Sequence, residues 1–116
     1  MQTNSLNKVI LIGRLGSDPK GRYTKKGQAT SSFSIATHER WKKSDGSWTD
    51  HTEWHHIVVW GALAEFASES LYKGQLVQAE GMLRTRSWKD DKGNSHKTTE
   101  ILCSQIIPLE HRAKKS

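Results

Sequence analysis

Apolar and polar positions in this chain mostly alternate over short runs, and only one stretch repeats at helical spacing, so strands are predicted almost throughout. NKVILIGRLG is a β-branched run ended by Gly13 and Gly16, with the turn-like pair Asp18-Pro19 after it. Beyond Gly27, ATSSFSIATHERW sets Phe33 and Ile35 on one face and Ser32, Ser34 and Ala36 on the other. The polar segment 42–50 contains Asp45-Gly46, a hairpin signal, and TEWHHIVVWG supplies the third strand. GALAEFASESLYKG then changes period: Leu63, Phe66, Ala67 and Leu71 form a helical stripe, and Gly74 reads as the C-terminal cap. GQLVQAEGMLRTRSW returns to period two, with Val77, Ala79, Gly81 and Leu83 on one side. A turn at DDKGN leads into SHKTTEILCSQIIPL, ended by Pro108.

Three strands, one helix and two strands joined by a hairpin make an all-β plan. It is the plan of an OB-fold, a five-stranded barrel with one helix between strands 3 and 4. The barrel is expected over residues 1–110, with HRAKKS at 111–116 as a short basic tail. A length of 116 residues suits one core and not two.

The parity of the strands directs attention to the aromatics. Four of the five tryptophans fall between Trp41 and Trp60, and Trp41, Trp48 and Trp88 sit among Lys, Ser, Asp and Thr instead of apolar neighbours. In the third strand Trp54, His56, Val58 and Trp60 point one way, against His55, Ile57 and Val59. In the fourth, Arg84, Arg86 and Trp88 share a face. Flat aromatic faces interleaved with cations are what unpaired bases stack on, and a formal charge of +6 attracts polyanions. Each tryptophan taken singly reads equally well as an ordinary strand aromatic. As a set that shares its face with arginines, they favour binding.

Other chemistry finds little support. The single cysteine, Cys103, lies in an apolar run and reads as a small core residue, so no internal disulfide is expected and a reducing cytosol fits. His51, His55 and His56 lack the alternation and companions of a metal site, so no metal or other cofactor is expected. GRLG at 13–16 fits the GXXG of a KH clamp but follows a strand, and reads as a turn. Neither a phosphate loop nor a nucleophile motif occurs, so no enzyme is expected, and no apolar run is long enough to span a membrane.

Four segments, NKVILIGRLGSDPKGRY, FSIATHERW, TEWHHIVVWGALAEFASESLYKG and EGMLRTRSWKDDKGNSHKTTEI, resemble the bacterial single-stranded DNA-binding protein family from Asn7 to about Ile107. The resemblance implies an OB-fold, sequence-independent wrapping of single-stranded DNA in replication, recombination and repair, a homotetramer with a dimer as the other option, and a bacterial cytoplasmic, nucleoid-associated location. It implies base stacking at Trp41, Trp54, Trp60 and Trp88, where the Trp60 position is usually phenylalanine. Trp48 has no counterpart and is either an additional clamp or hairpin packing. His55 matches a histidine associated with subunit contacts, against the plainer reading of a satisfied strand residue. Phosphate contacts are assigned to Lys8, Arg14, Arg22, Lys43, Lys73, Arg84 and Arg86, with His56 a base or phosphate contact.

One departure stands out. The family's long linker with an acidic tip is missing and HRAKKS is basic, so recruitment of repair and replication proteins through such a tail is not expected. A shortened form and a naturally short plasmid- or phage-encoded relative are both open. The alternatives are a short dimeric OB-fold of the primosomal replication protein N type and a cold-shock-like binder of RNA or nucleic acid in general.

Overall fold

A computed structural model describes residues 2–111. They run β1 (Val9–Leu15), β2 (Lys20–Tyr23), β3 (Ala29–Lys42), β4 (Trp48–Trp60), α1 (Ala62–Ser70), β5 (Leu76–Lys89) and β6 (Ser95–Pro108). β3 and β4 pair from Thr30↔Trp60 out to Lys42↔Trp48, and β5 and β6 from Val77↔Pro108 out to Lys89↔Ser95. β1 closes the ring by pairing with β5 along its length and with β3 at Arg14↔Ala36 and Leu15↔Ile35. β4 and β6 meet in parallel at Ile57↔Ile101 and Val58↔Leu102. The ring β1-β5-β6-β4-β3 is therefore the expected five-stranded barrel with its helix, an OB-fold.

Alternation selects what fills it. The inward residues Phe33, Ile35, Ile57, Val59, Val77 and Ala79 are all buried, and Ala64, Ala67 and Leu71 of the helical segment join the same core. Near one end β6 carries a bulge: Glu80 pairs with Gln105 and Gly81 with Cys103, so Ser104 has no cross-strand pair, and its hydroxyl donates to Glu80 O at 3.3 Å. Cys103 is buried here, and burial pushes its thiol up from the ordinary value. Such a thiol is an inert small core group. No helix among the described residues is long and apolar enough to cross a membrane.

Three details differ from the sequence reading. β2 was not foreseen; it adds Lys20–Tyr23 to the start of β3, so the helix follows the fourth strand in chain order. Four polar or exposed residues carry no alternating apolar signal, which is why the pattern missed it. Gly74 does not cap the helix. Leu71 is already extended (φ −88°, ψ 150°), and Gly74 (φ 87°) sits in the following turn, its N–H donating to Leu15 O at 2.8 Å. Leu83, assigned to the apolar face, is exposed: its partner Ile101 is buried, but β1 pairs with β5 only as far as Gly81 and leaves Leu83 uncovered. The expected basic tail falls at 112–116, outside the described residues, apart from His111.

Three turns share one construction. In each, the first residue's N–H donates to the carbonyl of the fifth and a glycine in fourth place donates back to the first: Thr24 to Gln28 with Gly27, Lys43 to Ser47 with Gly46, and Asp90 to Asn94 with Gly93. The three glycines have φ of 82°, 90° and 81°. These are left-handed values that any side chain resists, so the fourth position specifies the turn.

Candidate nucleic-acid interface

Because the β3–β4 and β5–β6 ladders are unbroken in their outer parts, strand parity carries over from the barrel to the arms. The even positions of β4 put Trp60, His56, Trp54 and Trp48 outward, opposite Thr30, Ser34, Ala36 and Lys42 of β3. On the neighbouring hairpin Arg84 pairs with Glu100, Arg86 with Thr98 and Trp88 with His96, all on the same outward side. β4 and β6 are neighbours, so the two ladders form one continuous face.

At its middle is a cleft of about 500 Å³, lined by Arg22, Tyr23, His56, Trp60, Arg84 and Arg86, with Lys20, Lys25 and Glu100 at its margins. Glu100 organises the cations. Its side chain is only 3% exposed, with Arg84 Nη2 3.3 Å, Arg86 Nε 3.9 Å and His56 Nε2 4.0 Å from its oxygens. A buried carboxylate is tolerated when paired, and here it pairs with two guanidinium groups of the neighbouring strand. The arginines remain half exposed, leaving N–H donors free for an incoming anion.

The indoles are held in different ways. Trp54 is 60% exposed and lies so close over Gly16 that a side chain there would have to displace the indole or Ser34. Trp60 borders the cleft. Trp88 stacks on His96, with centroids 4.5 Å apart and planes 22° apart, and its Nε1–H donates to Thr98 Oγ1 at 3.0 Å. Trp48 lies under the guanidinium of Arg40, 5.4 Å from its ring centroid. By parity Trp48 shares the face of Trp54 and Trp60, although sequence reasoning had left it apart. Trp41 pairs with Thr49 on the reverse face, tilted against His51 at 5.8 Å. An arm that projects beyond the barrel exposes both faces, and Trp41 is accessible there.

The seven cations assigned from the sequence separate into groups. Arg22, Arg84 and Arg86 line the cleft, and Lys43 opens the turn at the tip of the β3–β4 arm. Lys8 is ion-paired with Glu80 at 2.8 Å on the β1–β5 side, away from the aromatic face. Arg14 is likewise committed elsewhere: it binds Glu110 and donates to Gly74 O at 2.9 Å. Glu110 also accepts the Leu76 N–H, and its main-chain carbonyl accepts from the buried Gln75, so this group latches the chain's last described residues to the barrel. The Arg14 guanidinium holds the Glu110 carboxyl below its ordinary value. Lys73 donates its main-chain N–H to Asp18 at 2.8 Å, outside the cleft. His55 is half-buried on the inward parity, its Nε2 2.8 Å from Thr37 Oγ1.

Sequence reasoning missed Tyr23, Lys20 and Glu100 as members of the cleft. Lys20 and Tyr23 came with the unrecognised β2. For Glu100 the available signal was its parity with His96 and Thr98 opposite the arginine face. Among the described residues, no group of His, Cys, Asp and Glu could hold a metal ion.

A closed barrel that carries one continuous outer face of indoles and clustered guanidinium groups defines an OB-fold of the kind that presents its ligand surface on the sheet. Residues 6–109 match the Single-strand binding protein family, and the chain belongs to that family. It is 50% identical over 105 residues to "Single-stranded DNA-binding protein 1" of Chlorobaculum tepidum. That alignment covers 90% of this chain and 65% of the relative, so the chain spans just under two thirds of the relative's length. Among solved structures, the Plasmodium falciparum SSB complex with ssDNA superposes with a TM-score of 0.83 at 34% identity, over 95% of this chain and all of that one. A deletion mutant of the single-stranded DNA binding protein from Thermus aquaticus gives 0.80 at 33%, over 92% of this chain and 52% of that one.

Proposed function

We propose that this chain binds single-stranded DNA without regard to sequence, as a sheath and not as an enzyme, in replication, recombination and repair. The observation that carries this reading is the continuous outer face on which Trp54, Trp60 and Trp88 flank the Glu100-ordered guanidinium groups of Arg84 and Arg86. Indoles stack on any base, and guanidinium groups neutralise phosphates and release counterions. In this reading Trp41, Trp48 and Tyr23 add stacking surface, and Lys20, Arg22, Lys43 and His56 add contacts along the strand's path. Lys8 and Arg14 are ion-paired within the fold, and Lys73 lies outside the cleft. The likeness to the single-stranded DNA-binding protein of Chlorobaculum tepidum and to the Plasmodium falciparum SSB complex with ssDNA supports the reading.

The assembly we propose is a homotetramer, with a dimer as the measurable alternative. Supporting it, Ile10, Ile12 and Ile107 are exposed together on the outer side of β1, β5 and β6, away from the aromatic face. His55, part-buried on β4, is proposed as a separate subunit contact. A cytoplasmic, nucleoid-associated location accords with this role.

Titration with poly(dT) tests the reading directly. Tryptophan emission should be quenched strongly and affinity should fall steeply as salt is raised. Emission that stays unchanged would exclude stacking. Competition against poly(U) tells DNA from RNA preference, and light scattering reads the assembly.

A further inference from the structure

The outermost aromatic pair of the β5–β6 arm is Trp88 with His96, directly opposite each other on the two strands. The imidazole covers one face of the indole, and the indole edge is fixed separately by Thr98. His96 is itself oriented. Its Nε2 is 2.8 Å from Asp90 Oδ2, while Asp90 Oδ1 accepts the backbone N–H groups of Lys92 and Asn94, each at 2.9 Å. A chain of contacts thus runs from the turn's backbone through a carboxylate and an imidazole to the rear of an indole. The other arm has no equivalent. There Trp41 and His51 are 5.8 Å apart and tilted by 35°, and His51 is drawn away to Glu53 at 2.7 Å.

We propose that His96 is a positioning residue for single-stranded DNA: it backs Trp88, so that an incoming base becomes the third layer of a stack anchored at Asp90, and its protonation strengthens that stack. The proposal rests on the binding reading above. Two physical effects support it. A ring already fixed on one face and one edge loses little side-chain freedom when a base covers its other face. An imidazolium lying on an indole gains from the ring's electron-rich face, and it adds positive charge beside the path of the phosphates.

The charged surroundings are simple. Asp90 faces His96 from the turn, and its carboxyl is held below the ordinary value chiefly by the hydrogen bond to His96. Arg86 is one pair further along the same ladder and is held to Glu100, which also faces Arg84 and His56. Lys89 and Lys97 alternate to the reverse side of their strands.

The test uses the full chain and oligo(dT), titrated between about pH 5.5 and 8 at fixed salt. Affinity of the unaltered protein should rise as pH falls by about two- to fivefold more than that of His96→Phe. His56 is present in both proteins and cancels from the comparison. His96→Ala should bind more weakly at every pH. His96→Phe, which restores a flat ring, should recover the affinity lost at pH 8 but not the pH dependence. By reciprocity, NMR titration of the His96 ring should show its midpoint moving upward when DNA is bound. Identical pH profiles for the unaltered protein and His96→Phe, or an unmoved midpoint, would overturn the proposal. Failure of the unaltered protein to bind at any pH would instead overturn the reading beneath it.

Discussion

Two hairpin arms leave the barrel on turns of the same construction, at Lys43–Ser47 and at Asp90–Asn94, yet they hold their indoles differently. Toward the tip of β3–β4, Trp41 and Trp48 occupy opposite faces, with Thr49 and Lys42 as direct partners and with His51 and Arg40 respectively against their rings. On β5–β6 one tryptophan faces a histidine directly and is fixed at both ring and edge. The turn sets the geometry of an arm, but the cross-strand partner decides whether an aromatic on it is a fixed platform or an adaptable one. A strand of DNA would therefore meet one rigid and one compliant surface.

The largest expected effect sharpens this contrast. Trp88→Ala should weaken oligo(dT) binding about ten- to hundredfold by fluorescence titration or calorimetry, and Trp48→Ala clearly less. Equal losses would mean that fixation contributes nothing. Next in size, Gly46→Ala and Gly93→Ala should each destabilise their turns by about 1–2 kcal/mol, because both glycines are left-handed. Chemical denaturation should find the two costs similar, and a large inequality would break the equivalence of the turns.

Smaller effects separate the arms again. Thr98→Val removes the acceptor of the Trp88 N–H and should reduce affinity about two- to fivefold. Arg40→Ala removes the cation over the Trp48 ring together with an exposed ion pair to Asp50, and should change affinity by about twofold or less. The smallest effect lies in acid. The carboxyls of Asp45 and Asp90 are both held below the ordinary 3.8, the first by the Ser47 hydroxyl and the second by His96. Lowered folded values mean that their contribution is fully present above 3.8 and is lost as pH falls below it. Amide shifts in both turns should therefore move together in acid. Only the Asp90 turn, which includes an ion pair, should respond to added salt.

Much of this was legible in the chain. Alternation located the barrel strands because half their residues must be apolar, and it placed Trp54, Trp60, Arg84, Arg86 and Trp88 on their observed faces. The failures are equally physical. β2 is too short and polar to carry a period, so Tyr23 and Lys20 were hidden with it. Trp48 and Trp41 lie on either side of a turn whose exact pairing fixes their faces, and composition alone cannot count that register. Arg14 looked like free charge because its partner, Glu110, is far away in sequence. Glu100 shows its role only once the β5–β6 register sets it opposite Arg84 and the β4–β6 contact brings His56 alongside.

The unpaired Ser104 has a wider consequence. On the near side of it Ile101 and Cys103 point into the barrel, and on the far side Ile106 does, so the two halves of β6 are out of phase by one residue. Without that offset, a strand built to bury Ile106 would turn His96, Thr98 and Glu100 inward and leave the cation ladder without its counterparts. One residue at the rear of the barrel thus sets the polarity of the opposite surface. A deletion there would invert half a strand while leaving every side chain of the interface in the sequence.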